Sequence, residues 1–275
     1  MKRVFETALY VVMCVMLMSV LLTVIIIFVK KSKPRVLSNT LPAFALLTRL
    51  PDWQWLEFLR TFTSTYTVHV FVDDNTVDLS KEREAFPDYK FVQILDKETA
   101  AAGYKNSSYI ITPNPIAWDK ALYYFQRIAP IHETVWFCED DVYIRSVDQL
   151  ANMDAAHVTA DLLCERNTCV HKPSGKWHWP QVWGKLDLPW CGSMVCLCRV
   201  SKKLLAKVDA YVRKHGQLVF LEVLLPTLAV GMEVASPRAL ATMTYKSAWN
   251  KETVRKDQIY HPFKNVSEHV YMRNQ

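Results

Sequence analysis

Thr134-Val135-Trp136-Phe137-Cys138-Glu139-Asp140-Asp141-Val142-Tyr143-Ile144 is an apolar run that meets three consecutive acids and then turns apolar again. Val135 to Cys138 offer no polar residue to either face, so the run reads as a strand buried on both sides, in a sheet covered by helices. The acids then fall at its exit, beyond which ligands bind in open α/β sheets. Three adjacent carboxylates repel one another unless a cation or strong donors compensate them, and hard oxygen ligands suit Mg²⁺ or Mn²⁺. A solvated acidic turn after a core strand accounts for the same residues without any chemistry.

Outward from this strand, the chain from Leu41 alternates strand and helix, which argues for an α/β fold. Leu41 to Leu47 reads as the first strand. Pro51-Asp52 opens a helix with Trp55, Phe58, Leu59 and Phe62 at helical spacing. Val68 to Val72 is the second strand, ending at Asp73-Asp74-Asn75, and Tyr89 to Leu95 the third. A helix from about Ile116 to Ile128, with Trp118, Leu122 and Phe125 on its core face, feeds the acidic strand. Gly192 to Val200 reads as a later strand, with Ser201 as N-cap of a helix over 202–214.

The acidic stretch resembles the DxD motif of GT-A glycosyltransferases. Glu139-Asp140-Asp141 is similar to the Glu-Asp-Asp form of N-acetylglucosaminyltransferase I type enzymes, and Asp140-Asp141-Val142-Tyr143 to the beta-1,3-galactosyltransferase type. The β-α-β run that leads to it is similar to the nucleotide-sugar-binding half of that fold. The resemblance implies a GT-A-like mixed sheet flanked by helices over residues 40–275. It also implies a nucleotide-sugar donor (a UDP-sugar foremost), Mn²⁺ or Mg²⁺, and a glycan, glycoprotein or glycolipid acceptor.

The same resemblance distributes roles. Asp141, with Asp140 nearby and His261 near the C-terminus, would hold the metal, while Glu139 could contact the ribose. Arg49, just past the first strand, would meet the nucleotide phosphates, and Lys120 the diphosphate. Asp73 or Asp74 would accept a hydrogen bond from the uracil ring. Glu222, the one acid in the apolar stretch Phe220 to Ala229, would deprotonate the acceptor hydroxyl, giving inversion at the anomeric carbon. Gly192 and Ser193 would shape the acceptor site, and Trp177 with Trp179 could stack on the acceptor as an exposed pair.

Each residue also has a plainer reading. Asp73 and Asp74 suit ordinary turns, Lys120 a solvated charge, and His261 a structural position before Pro262. The tryptophans suit packing, and Glu222 a structural pair, since a buried acid without a partner is costly. The functional alternative is a membrane-anchored carbohydrate-binding protein of the same fold without turnover. A metal-dependent phosphotransferase is opposed by the lack of a second carboxylate cluster. No Walker loop, GxGxxG or GxSxG occurs, which argues against phosphate-loop kinases, dinucleotide enzymes and serine hydrolases.

Residues 8–29 carry no charged side chain and are long enough for a transmembrane helix. With no small-residue cleavage site, a retained signal anchor is expected, with a short tail at 1–7 and a linker at 30–39. Residues 1–35 hold six basic residues and one acid, so five of the six net positive charges lie beside this segment. Nothing in the remainder suggests nucleic acid. Flanking charge alone would put the C-terminal part in the cytosol. Two acceptor sequons, Asn106-Ser107-Ser108 and Asn265-Val266-Ser267, and the resemblance argue instead for a type II protein in the Golgi or ER lumen. Six of the seven cysteines lie beyond the segment, which permits disulfides, with Cys164–Cys169 the expected pair. Zinc is opposed because Cys164, Cys169 and His171 lack a second half at zinc-like spacing, and because Cys196-x-Cys198, in an apolar run, is expected to face opposite sides of a strand.

Overall fold

The computed structural model describes Met16, Met18 and residues 40–107, 114–245, 249–250 and 252–275. The expected anchor at 8–29 lies outside the described residues, those two methionines excepted. Among the described residues no helix is long and apolar enough to cross a membrane. Thr40–Gln275 forms one compact unit, a mixed α/β fold with a mostly parallel sheet flanked by helices.

The sheet has seven strands: β1 (Ala43–Thr48), β2 (Thr67–Val72), β3 (Lys90–Val92), β4 (Thr134–Glu139), β5 (Leu162–Leu163), β8 (Leu197–Ser201) and β9 (Val234–Ala235). Their spatial order is β3-β2-β1-β4-β8-β5-β9, and only β8 runs against its neighbours. From β1 the chain moves outward through β2 and β3, then returns to lay β4 on the other side of β1. The order therefore reverses between β1 and β4, and the crevice at their carboxyl ends is where such sheets hold ligands. Glu139 closes β4 on that crevice.

Alternation explains why β4 carries no polar residue between its ends. Val135 and Phe137 enter one core, with Leu122 and Phe125 of α4 (Ala117–Tyr123 and the following turn) and with α6 (Lys202–His215) and α7 (Leu221–Leu228). Trp136 and Cys138 enter the other, with Trp55, Leu56 and Leu59 of α1 (Trp53–Leu59) and Leu150 of α5 (Val147–Ala156). Burial on both faces keeps the polar residues of β4, Thr134 and Glu139, at its two ends. The sides of this sheet also hold two short helices, α2 (Ser80–Ala85) and α3 (Asp96–Ala101).

The helix starts follow local chemistry. Asp52 Oδ1 accepts from the Gln54 and Trp55 amides at 2.8 and 3.4 Å and caps α1, and Ser201 Oγ accepts from the Leu204 amide at 3.2 Å and caps α6. Two expected strands are shorter. Gln93 Nε2 donates to the Asp74 and Val77 carbonyls, which turns the chain away after Val92. The 192–200 run is split between β7 (Trp190–Gly192) and β8, because Ser193 is drawn aside to the Glu222 and Glu165 carbonyls.

Candidate active site at the end of β4

The three acids diverge as soon as the strand ends. Trp118 Nε1 donates to Glu139 Oε1 at 2.7 Å, leaving Oε2 turned inward. Asp140 is held from the other side: Thr48 Oγ1, at the end of β1, donates to its Oδ2 at 2.6 Å, and Trp55 Nε1 donates to its carbonyl at 2.7 Å. Burial, partly offset by the Thr48 hydrogen bond, raises the Asp140 carboxyl above its ordinary pKa, and the charges of Asp141 and Glu139 add to this.

Asp141 meets the C-terminal part of the chain. Tyr143 and Tyr260 exchange backbone hydrogen bonds at 2.8 and 3.1 Å, which brings β11 (Tyr260–His261), paired with β10 (Thr242–Met243), against the acidic turn. His261 Nε2 then lies 3.2 Å from Asp141 Oδ1 and 3.5 Å from Glu139 Oε2, and Lys264 Nζ lies 3.0 Å from Asp141 Oδ2. Burial works against a charge on His261, but hydrogen bonds to Asp141 and Glu139 outweigh it and push its pKa up to about 10. Asp141 is lowered despite its burial, through His261 and Lys264. His261 Nδ1 lies 2.8 Å from the Thr244 carbonyl oxygen. A carbonyl only accepts, so Nδ1 carries a hydrogen and Nε2 is the nitrogen turned to the acids.

Of the three residues expected at a metal, Asp141 and His261 are brought together, whereas the Asp140 carboxylate turns to Thr48. A residue that the spacing did not suggest joins them. Cys196, just before β8, lies with Glu139 and His261 in a cluster whose ligand atoms are all within 4.8 Å of one another. Carboxylate oxygens, an imidazole nitrogen with its other nitrogen tied to a carbonyl, and a thiol are a donor set that fits a divalent cation.

Glu222 lies in the first turn of α7. Burial, followed by the charge of Glu139 and opposed by that of His261, raises it to about 7. A carboxyl with a pKa near neutrality is suited to taking a proton. Its backbone carbonyl accepts from the Ser193 amide at 3.0 Å, so the loop after β7 is fastened to this helix.

The end of β2 builds a second polar group. Lys120 is 1% exposed and pairs with Asp73 and Asp96, so it is neither a solvated charge nor open to a ligand phosphate here. The Asp73 amide donates to the Thr48 carbonyl at 2.9 Å, at the same crevice. Asp74 accepts from the Thr76 amide and hydroxyl, which lower its pKa in an exposed turn. Arg49 is exposed, and its charge also acts on Asp74.

The tryptophan-rich loop is organised differently from expectation. β6 (Thr168–Val170) pairs antiparallel with β7 and sets Cys169 opposite Cys191, and these two form the disulfide. Cys164 instead lies at the end of β5, fully buried and free, so the expected Cys164–Cys169 bridge does not form. Trp177 is 47% exposed but Trp179 only 6%, so the two are not an exposed pair; their rings meet edge-on at 4.8 Å. Gly192 is required by this packing, since a Cβ there would come within 2.5 Å of the Trp177 ring.

No protein-family model and no curated protein matches this chain. Among solved structures the chain is similar to 4-diphosphocytidyl-2C-methyl-D-erythritol synthase from Anaerococcus prevotii DSM 20548. That match has a TM-score of 0.41 at 9% identity and covers 74% of this chain and 89% of the other. A similarity of this degree assigns no chemistry to the chain.

Proposed function

We propose that this chain is a cation-assisted glycosyltransferase, anchored in a membrane by residues 8–29, that moves a sugar from a nucleotide-sugar donor to a hydroxyl of a glycan or glycoconjugate. The observation that carries the reading is the convergence, at the switch point of the sheet, of the Glu139–Asp141 carboxylates with His261 and with Glu222, whose pKa is raised to about 7. A group that holds a leaving diphosphate and a group that accepts a proton are the two requirements of sugar transfer from such a donor.

Asp73, positioned by Lys120, is assigned to the base of the donor, with Arg49 beside the nucleotide phosphates. Asp141 and His261 would hold a Mn²⁺ or Mg²⁺ ion, with Asp140 behind them, and the ion would neutralise charge on the diphosphate. Lys264 sets one further cation near the same place, while His261 gives up its Nε2 proton to ligate the ion. Glu222 takes the proton of the acceptor hydroxyl as its oxygen attacks the anomeric carbon. The bond from that carbon to the diphosphate oxygen breaks, and the configuration inverts. Trp177 offers an exposed ring to the acceptor. The unit from residue 40 onward is assigned to the Golgi or ER lumen, where the sequon at Asn265 could be used.

The second reading, a carbohydrate-binding protein of the same fold without turnover, has one observation in its favour. Both Asp141 oxygens are already matched by protein cations, His261 and Lys264. Incubating the purified full chain with a panel of nucleotide sugars and Mn²⁺ separates the two. Transfer or donor hydrolysis that is lost in Glu222→Gln supports the enzyme; donor binding without either reaction supports the binding protein.

A further inference from the structure

We propose that Cys196 is a metal ligand, completing with Glu139 and His261 a mixed sulfur, oxygen and nitrogen site that favours Zn²⁺, Co²⁺ or another borderline divalent ion over Mg²⁺. The inference deepens the reading of the β4 exit as a cation site and rests on it.

Three features of the geometry carry it. The candidate ligand atoms of Glu139, Cys196 and His261 lie within 4.8 Å of one another. Ligands around a tetrahedral ion with bonds of about 2.0–2.3 Å stand roughly 3.5 Å apart, so movements on the order of 1 Å close the site. The outer partners are already in place. Trp118 Nε1 holds Glu139 Oε1 at 2.7 Å and presents Oε2, and the Thr244 carbonyl holds His261 Nδ1 at 2.8 Å and presents Nε2. Such partners orient metal ligands and sharpen their donor character. Finally, the backbone fixes Cys196 against the acid. The Glu139 amide donates to the Cys196 carbonyl at 2.9 Å where β4 and β8 begin to pair. Cys196 and His261 are buried at 4% and 6% exposure, whereas the Glu139 side chain keeps 33%, which leaves an approach from the crevice.

The selectivity follows from the sulfur. Thiolate is a soft ligand that Mg²⁺ does not favour, while Zn²⁺ and Co²⁺ accept sulfur, nitrogen and oxygen together. On binding, the thiol and the imidazolium each release a proton to solvent, and the ion takes over the charge compensation that protonated His261 provides. Loss of the imidazolium proton frees Asp141 Oδ1 toward the ion, while Oδ2 keeps its pair with Lys264.

The test is a Co²⁺ titration of the purified full chain in detergent, with no donor or acceptor present. We expect a near-ultraviolet thiolate-to-cobalt absorption that is lost in Cys196→Ser and retained in Cys198→Ser, with Co²⁺ and Zn²⁺ affinity lowered by at least the roughly 10–100-fold that loss of a mere outer-shell partner costs. Cys196→Ala serves as a second variant should serine disturb the buried position, with thermal melting as the check on folding. Persistence of the band in either folded Cys196 variant overturns the proposal. Co²⁺ binding by the wild type with no thiolate band also overturns it, while leaving a carboxylate-held ion and the transferase reading intact. If the band appears as expected but no nucleotide sugar is turned over, the site stands and the transferase reading fails.

Discussion

Lys120 Nζ lies 2.7 Å from the Asp73 carbonyl oxygen, 3.0 Å from Asp73 Oδ1 and 2.7 Å from Asp96 Oδ1. An ammonium has three hydrogens, and here all three are used. One buried cation thus ties the end of β2 to the start of α3. Lys120→Met keeps the stem and removes the charge, leaving two carboxylates facing each other. Breaking a buried pair from one side costs about 3–5 kcal/mol. Here the acids are 31% and 34% exposed and water can compensate, so about 2–3 kcal/mol is expected, a drop in melting temperature on the order of 5–10 °C. An unchanged melting curve would mean that the three contacts contribute nothing.

Glu222→Gln should lower transfer by about 10²–10⁴-fold, because the amide cannot take the acceptor's proton. In the wild type the rate should rise with pH as Glu222 ionises around its raised pKa of about 7. The stability effect has the opposite direction. A carboxyl whose folded pKa lies above its unfolded value stabilises the fold when protonated, and that contribution is lost as pH rises from about 4.5 to 7. The Gln variant escapes this loss and is expected to be the more stable protein at pH 8, by up to about 3 kcal/mol. Near-normal turnover in the folded variant excludes Glu222 as the base; reduced stability at pH 8 identifies a structural partner.

His69, in β2, is 0% exposed and packs against Phe71, Tyr124 and Phe125. Burial lowers its pKa to about 3, and that of His269, equally buried, to about 4. Both fold as neutral rings. Their contribution is complete above pH 6.5 and is lost as pH falls from there toward 3–4, where the unfolded chain alone takes up protons. Urea denaturation between pH 7 and 5 should therefore show stability falling with acid, by up to about 1.4 kcal/mol per pH unit for each histidine. His69→Phe should flatten that slope. An equally steep fall in the variant would remove His69 from the account.

The two sequons differ in the folded chain. Asn106 is 3% exposed, whereas Asn265 sits exposed before α8 (Val266–Arg273). A glycan at Asn106 has no room in this structure. Expressed through a secretory pathway, the chain is expected to carry an enzyme-removable glycan that Asn265→Gln abolishes and Asn106→Gln leaves unchanged. A mobility shift that disappears only with Asn106→Gln contradicts this arrangement, and no shift with either sequon intact counts against lumenal placement.

What the sequence determined by itself was the alternation of elements and the place of the acids. Val135 to Cys138 are apolar on both faces because both faces are buried, so a β4-like strand and its acidic exit could be read directly. The helix opening at Pro51-Asp52 and the cap Ser201 were legible because such signals act within a few residues of their own position; that Asp52 itself is the cap came from the structure. What needed the tertiary structure was every partner that arrives from far along the chain. Cys196 read as part of an apolar strand and not as a metal ligand, because its partners Glu139 and His261 stand far away on either side and meet only when β8 and β11 fold against β4. Lys120 looked like a surface charge until Asp73 and Asp96 closed over it. Cys169 was drawn to Cys191, not Cys164, because antiparallel pairing of β6 with β7 sets those two residues opposite each other. Burial and hydrogen bonding along an element repeat with its period and leave a pattern in sequence. Contacts between elements depend on sheet order, and no local spacing records that.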